Sequence, residues 1–262
     1  MAQPILTLTT DFGAADHYVA AMKGVILGIC PRARMVDISH QVKPYQIAEG
    51  AYLVAQAYRY FPPKTVHVVV VDPGVGSARR PILIEAAGQY FIGPDNGVLS
   101  MVYNREKHKA RLISADRYFR QPVSRTFHGR DIFAPVAAHI AAGIPAARVG
   151  KLIHDHLKSS SWKPQRTGKR TWTGLVLHID RFGNIVTNFE AADFPDLEMR
   201  SFALRLGPRE VSVLARTYAE CGPAELFAIA GSSGYLEVSV NQASAAKAVG
   251  CEPGAPAELV IG

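Results

Sequence analysis

The stretch HVVVVDPGVGSARR, residues 67–80, runs four valines into Asp72 and then turns through Gly74 and Gly76 to Arg79. Two chemistries compete for it. Gly74-Val75-Gly76 starts like a GxGxxG phosphate loop, but the sixth position is Arg79 and no Lys-Ser/Thr pair follows, so both phosphate-loop patterns fail. The other reading is a buried strand ending in a carboxylate, with a tight turn that brings a guanidinium back toward it. Open α/β sheets bind ligands beyond the carboxyl ends of their strands. A turn cap with a surface Asp72–Arg79 ion pair is the plain structural alternative. Asp11, at the end of ILTLTTD, is a second strand-end carboxylate, and with Asp16 it flanks a helix start. Aspartate caps helices well, and it also grips vicinal hydroxyls or a cationic group. His128 in RTFHGRDIFAP precedes Gly129 and another helix start. HIDRFGNIVTN carries Asp180, Phe182 and Asn184 on a hairpin-like turn, and GSSGYLEVSVNQAS sets Ser232 and Ser233 on a turn before a strand. Each of these stretches is ordinary alone.

The elements that must position these groups fall into two halves. In the first, apolar strands alternate with helical patterns. ILTLTTD, RMVDIS, TVHVVVVD and QYFIGPDNG read as strands, while DHYVAAMKGVILGIC, IAEGAYLVAQAYRYF and GRDIFAPVAAHIAAGI read as helices. The unbroken TVHVVVV run suits a strand buried on both faces of a parallel sheet. This predicts an N-terminal α/β layered domain over residues 1–158 with a central, mostly parallel sheet. Short strand-like runs separated by Gly, Pro, Asp or Asn follow, predicting a smaller all-β barrel or sandwich-like domain over 172–262. Residues 159–171, rich in Lys, Arg and Ser, read as a basic linker.

The net charge is +7, and five of the positive charges sit between Lys158 and Trp172 without an acid. Neither stacking aromatics of the RNA-binding type nor a zinc-finger pattern accompanies them, so a solvated linker is expected in preference to a nucleic-acid contact. Hydrophobic residues make up 48% of the 262, enough for a sizeable core. No run is long and apolar enough to span a membrane, and the first residues show no signal-peptide pattern. Cys30, Cys221 and Cys251 lie far apart with no CxxC pair, which points to a reducing cytoplasm and away from a zinc cluster.

Taken in order, TDFG…DHYVAAMKG, VDPGVGSARR, GPDNG, FHGRDIFAP, IDRFGNIVTN and SSGYLEVSVNQAS resemble the motifs of the S-adenosyl-L-methionine (SAM) hydroxide adenosyltransferases, or SAM hydrolases, relatives of the fluorinases and chlorinases. The resemblance implies hydrolysis of SAM by attack of an activated water on the ribose 5′ carbon, giving adenosine and L-methionine. The sulfonium departs as a neutral thioether, so neither an acid nor a metal is needed to stabilise it, and no cofactor is expected. The family's water-activating triad falls on Asp72, Arg79 and His128.

The same resemblance places Asp11 on the ribose hydroxyls, Asp16 and Asp180 near the methionine amino group, and Ser232 on the methionine carboxylate. Phe182 and Asn184 fall in the nucleoside pocket, and Tyr45 and Tyr218 on its walls. Gly129, Ser233 and Gln242 complete the expected substrate-binding set. It also implies a homotrimer with sites at subunit interfaces. Fluorinase-type sequences carry Tyr at the position of Asp72, Tyr-Ser in place of His128-Gly129, and Arg in place of Ser233. A carboxylate at the nucleophile position repels a halide, by about 4 kcal/mol at ~4 Å and an effective dielectric of 20. Hydrolysis is therefore expected over halogenation. A non-catalytic SAM or adenosine sensor is the alternative of a different class.

Overall fold

The computed structural model describes residues 3–160 and 162–262; Met1, Ala2 and Ser161 lie outside it. The chain divides into two compact units, Met1–Ser159 and Ser160–Gly262. In the first, strands β1 (Ile5–Thr10), β2 (Arg34–Ser39), β3 (Val66–Val70), β4 (Pro81–Ala86), β5 (Gln89–Pro94), β6 (His108–Leu112) and β7 (Leu152–Ile153) form one sheet in the order β2-β1-β3-β5-β4-β6-β7. Helices α1 (Tyr18–Ile29), α2 (Ile47–Ala57), α3 (Ser100–Tyr103) and α4 (Ala134–Ala141) cover it. Met22 and Ile26 of α1 and Ala134, Val136 and Ala137 of α4 pack with Leu6, Leu8, Val66, Val68 and Val70 of the sheet in one core. The α2 helix lies against the opposite face; a Cβ on its Gly50 would press on Val71 and Val98.

The sheet is parallel only where β2, β1, β3 and β5 pair. The expectation of a mostly parallel sheet therefore holds for this half, and β4, β6 and β7 run antiparallel to their neighbours. The cause is local. Ala87 and Gly88 link β4 to β5 with both residues at positive φ, 52° and 71°. That is the two-residue connection of an antiparallel hairpin. The strands β1 and β3 lie side by side, yet the chain leaves β1 toward β2 on one side and arrives at β3 on the other. This is a topological switch point, where open sheets form a crevice beyond their carboxyl ends. Asp11 follows the end of β1 and Asp72 follows the end of β3, and their strands are in register at Thr10 and Val70.

The second unit is built from β8 (Gln165–Arg166), β9 (Thr171–Ile179), β10 (Ile185–Glu190), β11 (Phe202–Leu206), β12 (Arg209–Val211), β13 (Leu214–Ala215), β14 (Leu226–Ala230), β15 (Tyr235–Val240) and β16 (Pro256–Ile261), with one short helix, α5 (Ala245–Val249). The long strand β9 pairs with β16 through its first half and with β10 through its second, so the sheet curls around one core that includes Val176, Phe189, Leu204, Leu236 and Leu259. Part of the basic stretch read as a linker, Gln165–Arg166, joins this sheet. Its β8 pairs with β9, and the Arg166 guanidinium lies 5.3 Å from the centre of the Trp172 ring. Both residues of β8 remain exposed. Among the described residues no helix is long and apolar enough to cross a membrane.

Candidate active site

Asp72, Arg79 and His128 meet in the first unit, although 49 residues separate Arg79 from His128. Arg79 donates from Nε to Asp72 Oδ1 over 2.9 Å and from Nη2 to Asp72 Oδ2, a two-pronged grip. The same Nη2 donates to His128 Nδ1 over 2.8 Å. The side chains of Arg79 and Asp72 are only 9% and 5% exposed, so this is no surface ion pair. Arg79 stacks over Phe133 at 5.2 Å, and its Nη1 is buried without a partner among the described residues. A guanidinium has no acceptor, so the Arg79–His128 contact requires a lone pair on Nδ1 and leaves the imidazole proton on Nε2. Burial, then the Arg79 charge, holds the His128 pKa below the ordinary value of 6.5, with Asp72 and Asp131 opposing.

The local backbone explains how the three converge. The turn after β3 doubles back through Gly76 at φ 78°, where a Cβ would lie 2.3 Å from the Arg125 carbonyl, so only glycine lets the two loops touch. Arg80, next along, turns away and pairs with Asp95 and Asp155 at 2.7 and 2.9 Å. Asn96 donates from Nδ2 to the carbonyl of Val71 over 2.8 Å, fixing the residue just before Asp72. His128 opens a π-helical turn, Gly129–Phe133, that feeds α4. Such wide turns recur at functional sites. Asp131 anchors it: fully buried, it accepts from Arg130 at 2.7 and 2.8 Å and from the Ser124 amide at 2.9 Å. Neither Asn96 nor Asp131 was assigned a role in the sequence. The first lies in GPDNG and the second in GRD, motifs whose side-chain partners only the fold reveals.

Asp11 Oδ2 accepts from the Tyr45 amide over 3.1 Å, so the structure brings these two expected substrate residues together. Burial raises the Asp11 pKa, the Tyr45 amide lowers it, and the nearby charge of Asp72 raises it further. Tyr45 itself is held at φ 71° and is 71% exposed. Gly129 is buried, and a Cβ there would meet Met22, Phe127 and Phe12. Asp16 is exposed on the loop before α1 and is not brought to the triad by any described hydrogen bond or ion pair.

In the second unit, Asp180, Phe182 and Asn184 share the turn between β9 and β10. The Asp180 carboxylate accepts from the amides of Phe182 and Asn184 and from Asn184 Nδ2, each over 2.9 Å. Phe182 projects from this turn, 79% exposed. Ser232 and Ser233 sit on the turn between β14 and β15, and Ser233 and Tyr218 both donate to Glu237, a residue absent from the expected set. Gln242 is exposed at φ 57° and joins none of these groups. The signal for Glu237 was a charge inside YLEVSV, a strand buried along its whole length.

Comparison with known proteins matches residues 6–150 and 174–258 to the N- and C-terminal domains of the SAM hydroxide adenosyltransferases. The chain belongs to the SAM hydroxide adenosyltransferase family. A (R)-S-adenosyl-L-methionine hydrolase of Salinispora tropica is 38% identical over 96% of this chain and 95% of its own. One from Methanocaldococcus jannaschii is 45% identical over 71% of this chain and 67% of its own. A fluorinase of Nocardia brasiliensis is 28% identical over 99% of this chain and 98% of its own. Among solved structures, a conserved protein from Thermotoga maritima superposes with a TM-score of 0.87 at 36% identity, covering 98% of this chain and 99% of that one. The adenosyltransferase fold is thus shared across both units.

Proposed function

We propose that this adenosyltransferase hydrolyses SAM to adenosine and L-methionine. The observation that carries the reading is the buried Asp72–Arg79–His128 contact at the carboxyl end of β3, beside Asp11 at the end of β1. A water oxygen attacks C5′, the C5′–S bond breaks, and the sulfur leaves with the bonding pair as the neutral thioether of methionine. One water proton must be accepted as the bond forms. Arg79 offers no acceptor, and the His128 Nδ1 lone pair is already engaged by Arg79. Asp72, with lone pairs beyond its two Arg79 bonds, is the acceptor; His128 presents Nε2–H as a donor that orients the water. His128, the more obvious base by its ordinary pKa, is thereby cast as a positioning donor. Arg79 holds Asp72 in place through its two-pronged grip.

Asp11 is suited to the ribose diol, because its two oxygens accept from both hydroxyls. Phe182 and Asn184 are read as nucleoside contacts and Ser232 as a methionine-carboxylate contact. The reaction needs no cofactor, since its leaving group is neutral. The three free cysteines fit a cytoplasmic enzyme, and the homotrimer with sites between subunits is carried by the family resemblance.

The test is incubation of the purified protein with SAM at neutral pH, with chromatography for adenosine and methionine and Asp72→Ala as control. Adenosine from the wild type, with the variant slower by ~10²- to 10⁴-fold, is the expected result. Tight SAM binding with no adenosine would overturn hydrolysis in favour of a sensor.

A further inference from the structure

His40 is a largely buried histidine, its side chain 10% exposed, that the reaction as read above does not use. It directly follows β2. The pairing of β2 with β1 slips just before it. Leu8 lies opposite Asp37, but Thr9 lies opposite Ser39, so Ile38 is one residue too many on β2. An unbroken register would set Ser39 level with Thr10; the slip sets His40 there instead. Such bulges are rare between parallel strands, and they recur beside active sites, where they re-aim a side chain.

The re-aimed residue grips the end of β1 twice. Its Nδ1 lies 2.9 Å from Thr10 Oγ1, and its carbonyl accepts from the Gly13 amide over 2.7 Å. Asp11 lies between these two holds. The proton positions follow from the neighbours. The Phe12 amide donates to Thr10 Oγ1 over 3.3 Å, so the buried hydroxyl still has its own proton to place, and His40 Nδ1 is the acceptor within reach. On the other side of the ring, Nε2 lies 3.0 Å from Asp37 Oδ1, and Lys23 donates to Asp37 Oδ2 over 2.6 Å. Burial opposes ionisation of Asp37, but the bonds from Lys23 and His40 outweigh it and keep its pKa low. An ionised carboxylate only accepts, so the ring proton sits on Nε2 and the lone pair on Nδ1. Both sides of the ring therefore ask for the same tautomer.

We propose that His40 is a positioning residue for ribose recognition: by holding Thr10 and Gly13 on either side of Asp11, it sets the direction in which the Asp11 carboxylate meets the 2′ and 3′ hydroxyls. The assignment rests on the SAM reading, with Asp11 as the diol contact. Two hydroxyls need both carboxylate oxygens aimed at once, so a loop free to rotate loses one of the two bonds. The Tyr45 amide steadies Asp11 Oδ2 over 3.1 Å, and the segment that carries it also begins at His40. One histidine thus anchors both the loop that bears the carboxylate and the segment that contacts it.

The experiment uses the full-length protein with two substrates, SAM and a SAM analogue in which hydrogens replace the 2′ and 3′ hydroxyls. His40→Ala removes the acceptor for Thr10. The expected result is a KM for SAM raised about tenfold, as for a buried hydroxyl left unpaired, with kcat little changed and the KM of the dideoxy analogue unmoved. His40→Asn, whose side-chain oxygen stands near the Nδ1 position, should recover most of the loss; His40→Gln, which reaches the Nε2 position instead, should not. Thr10→Val breaks the same bond from its other end and serves if the His40 variants do not fold. A general structural role would raise both KM values alike. That outcome, no increase for SAM, or rescue by Gln as good as by Asn, overturns the assignment of His40. A wild type that neither turns over nor binds SAM would instead overturn the SAM reading itself, so the two failures are separable.

Discussion

At the residue scale, one nitrogen of His128 sets the division of roles. Because Arg79 can only donate, His128 accepts at Nδ1 and carries its proton at Nε2. His128→Gln, whose amide can offer a donor near that Nε2 position, should keep more activity than His128→Ala; the alanine variant should lose ~10²-fold or more in kcat with SAM binding largely retained. Equal losses in the two variants would remove the donor role. The pH dependence has a definite sign. Burial and the Arg79 charge lower the His128 pKa, so the ring takes up its proton only below its ordinary value. The rate should hold as pH falls through 6.5 and drop only below it, when protonation of Nδ1 breaks the contact with Arg79. Stability falls earlier, from 6.5 down to that lowered value, since the unfolded chain takes up this proton first. A rate that rises with pH through a midpoint above 6.5 would mean that His128 is a base that must lose a proton.

At the element scale, the triad depends on two loops being held by side chains outside it. Asn96 pins the Val71 carbonyl, and Asp131 pins the π-turn that carries His128. Asn96→Ala and Asn96→Asp should both lose the bond to Val71, because an ionised Asp cannot donate to that carbonyl, while Asp keeps the bond that Asn96 accepts from the Val98 amide. Both should lower kcat about ten- to a hundredfold through misplacement of Asp72 while leaving KM near its original value; a change confined to KM would argue against a positioning role. Asp131→Asn should lower stability by about 2–3 kcal/mol, read as a denaturant midpoint. Burial opposes ionisation of Asp131, but the bonds from Arg130 and Ser124 outweigh it and keep the pKa low. Its contribution is therefore complete above the ordinary carboxylate range and lost only as pH falls below 3.8.

These elements also show what a sequence discloses. The strands ending at Asp11 and Asp72 were legible because four consecutive valines and an alternating ILTLTT leave little else to form. The strand 81–86 was not, because its antiparallel direction is set by a two-residue turn with a non-glycine residue at positive φ. The triad members were legible as motif positions, yet only the fold brings a loop 49 residues on to Arg79. Asp131 and Glu237 escaped because a charged residue reads as surface until its burial is known. In the basic stretch 159–171, a run of charges hides the pairing of Gln165–Arg166 with β9 and the Arg166–Trp172 contact.

At the scale of the whole molecule, the expected contacts are split between two compact units, the triad and Asp11 in one, the Asp180 turn and the Glu237 cluster in the other. In each unit an aromatic at an expected substrate position is largely exposed, Tyr45 at 71% and Phe182 at 79%. Single exposed aromatics are common, but here both fall where a nucleoside is expected to bind. The proposed trimer, with each site shared by two chains, makes this division testable by complementation. Asp72→Ala disables the first unit, and Phe182→Ala weakens the second when SAM is kept too dilute for that variant. Chains of both kinds, co-expressed in equal amounts and randomly assembled, would form intact sites in about a quarter of cases, since each site draws one unit from each of two neighbours in a closed ring. About a quarter of wild-type activity, from two variants each nearly inactive under the assay, is the expected outcome. If each site were completed within one chain, no mixture could make an intact one, and the activity would stay at the average of the two variants alone.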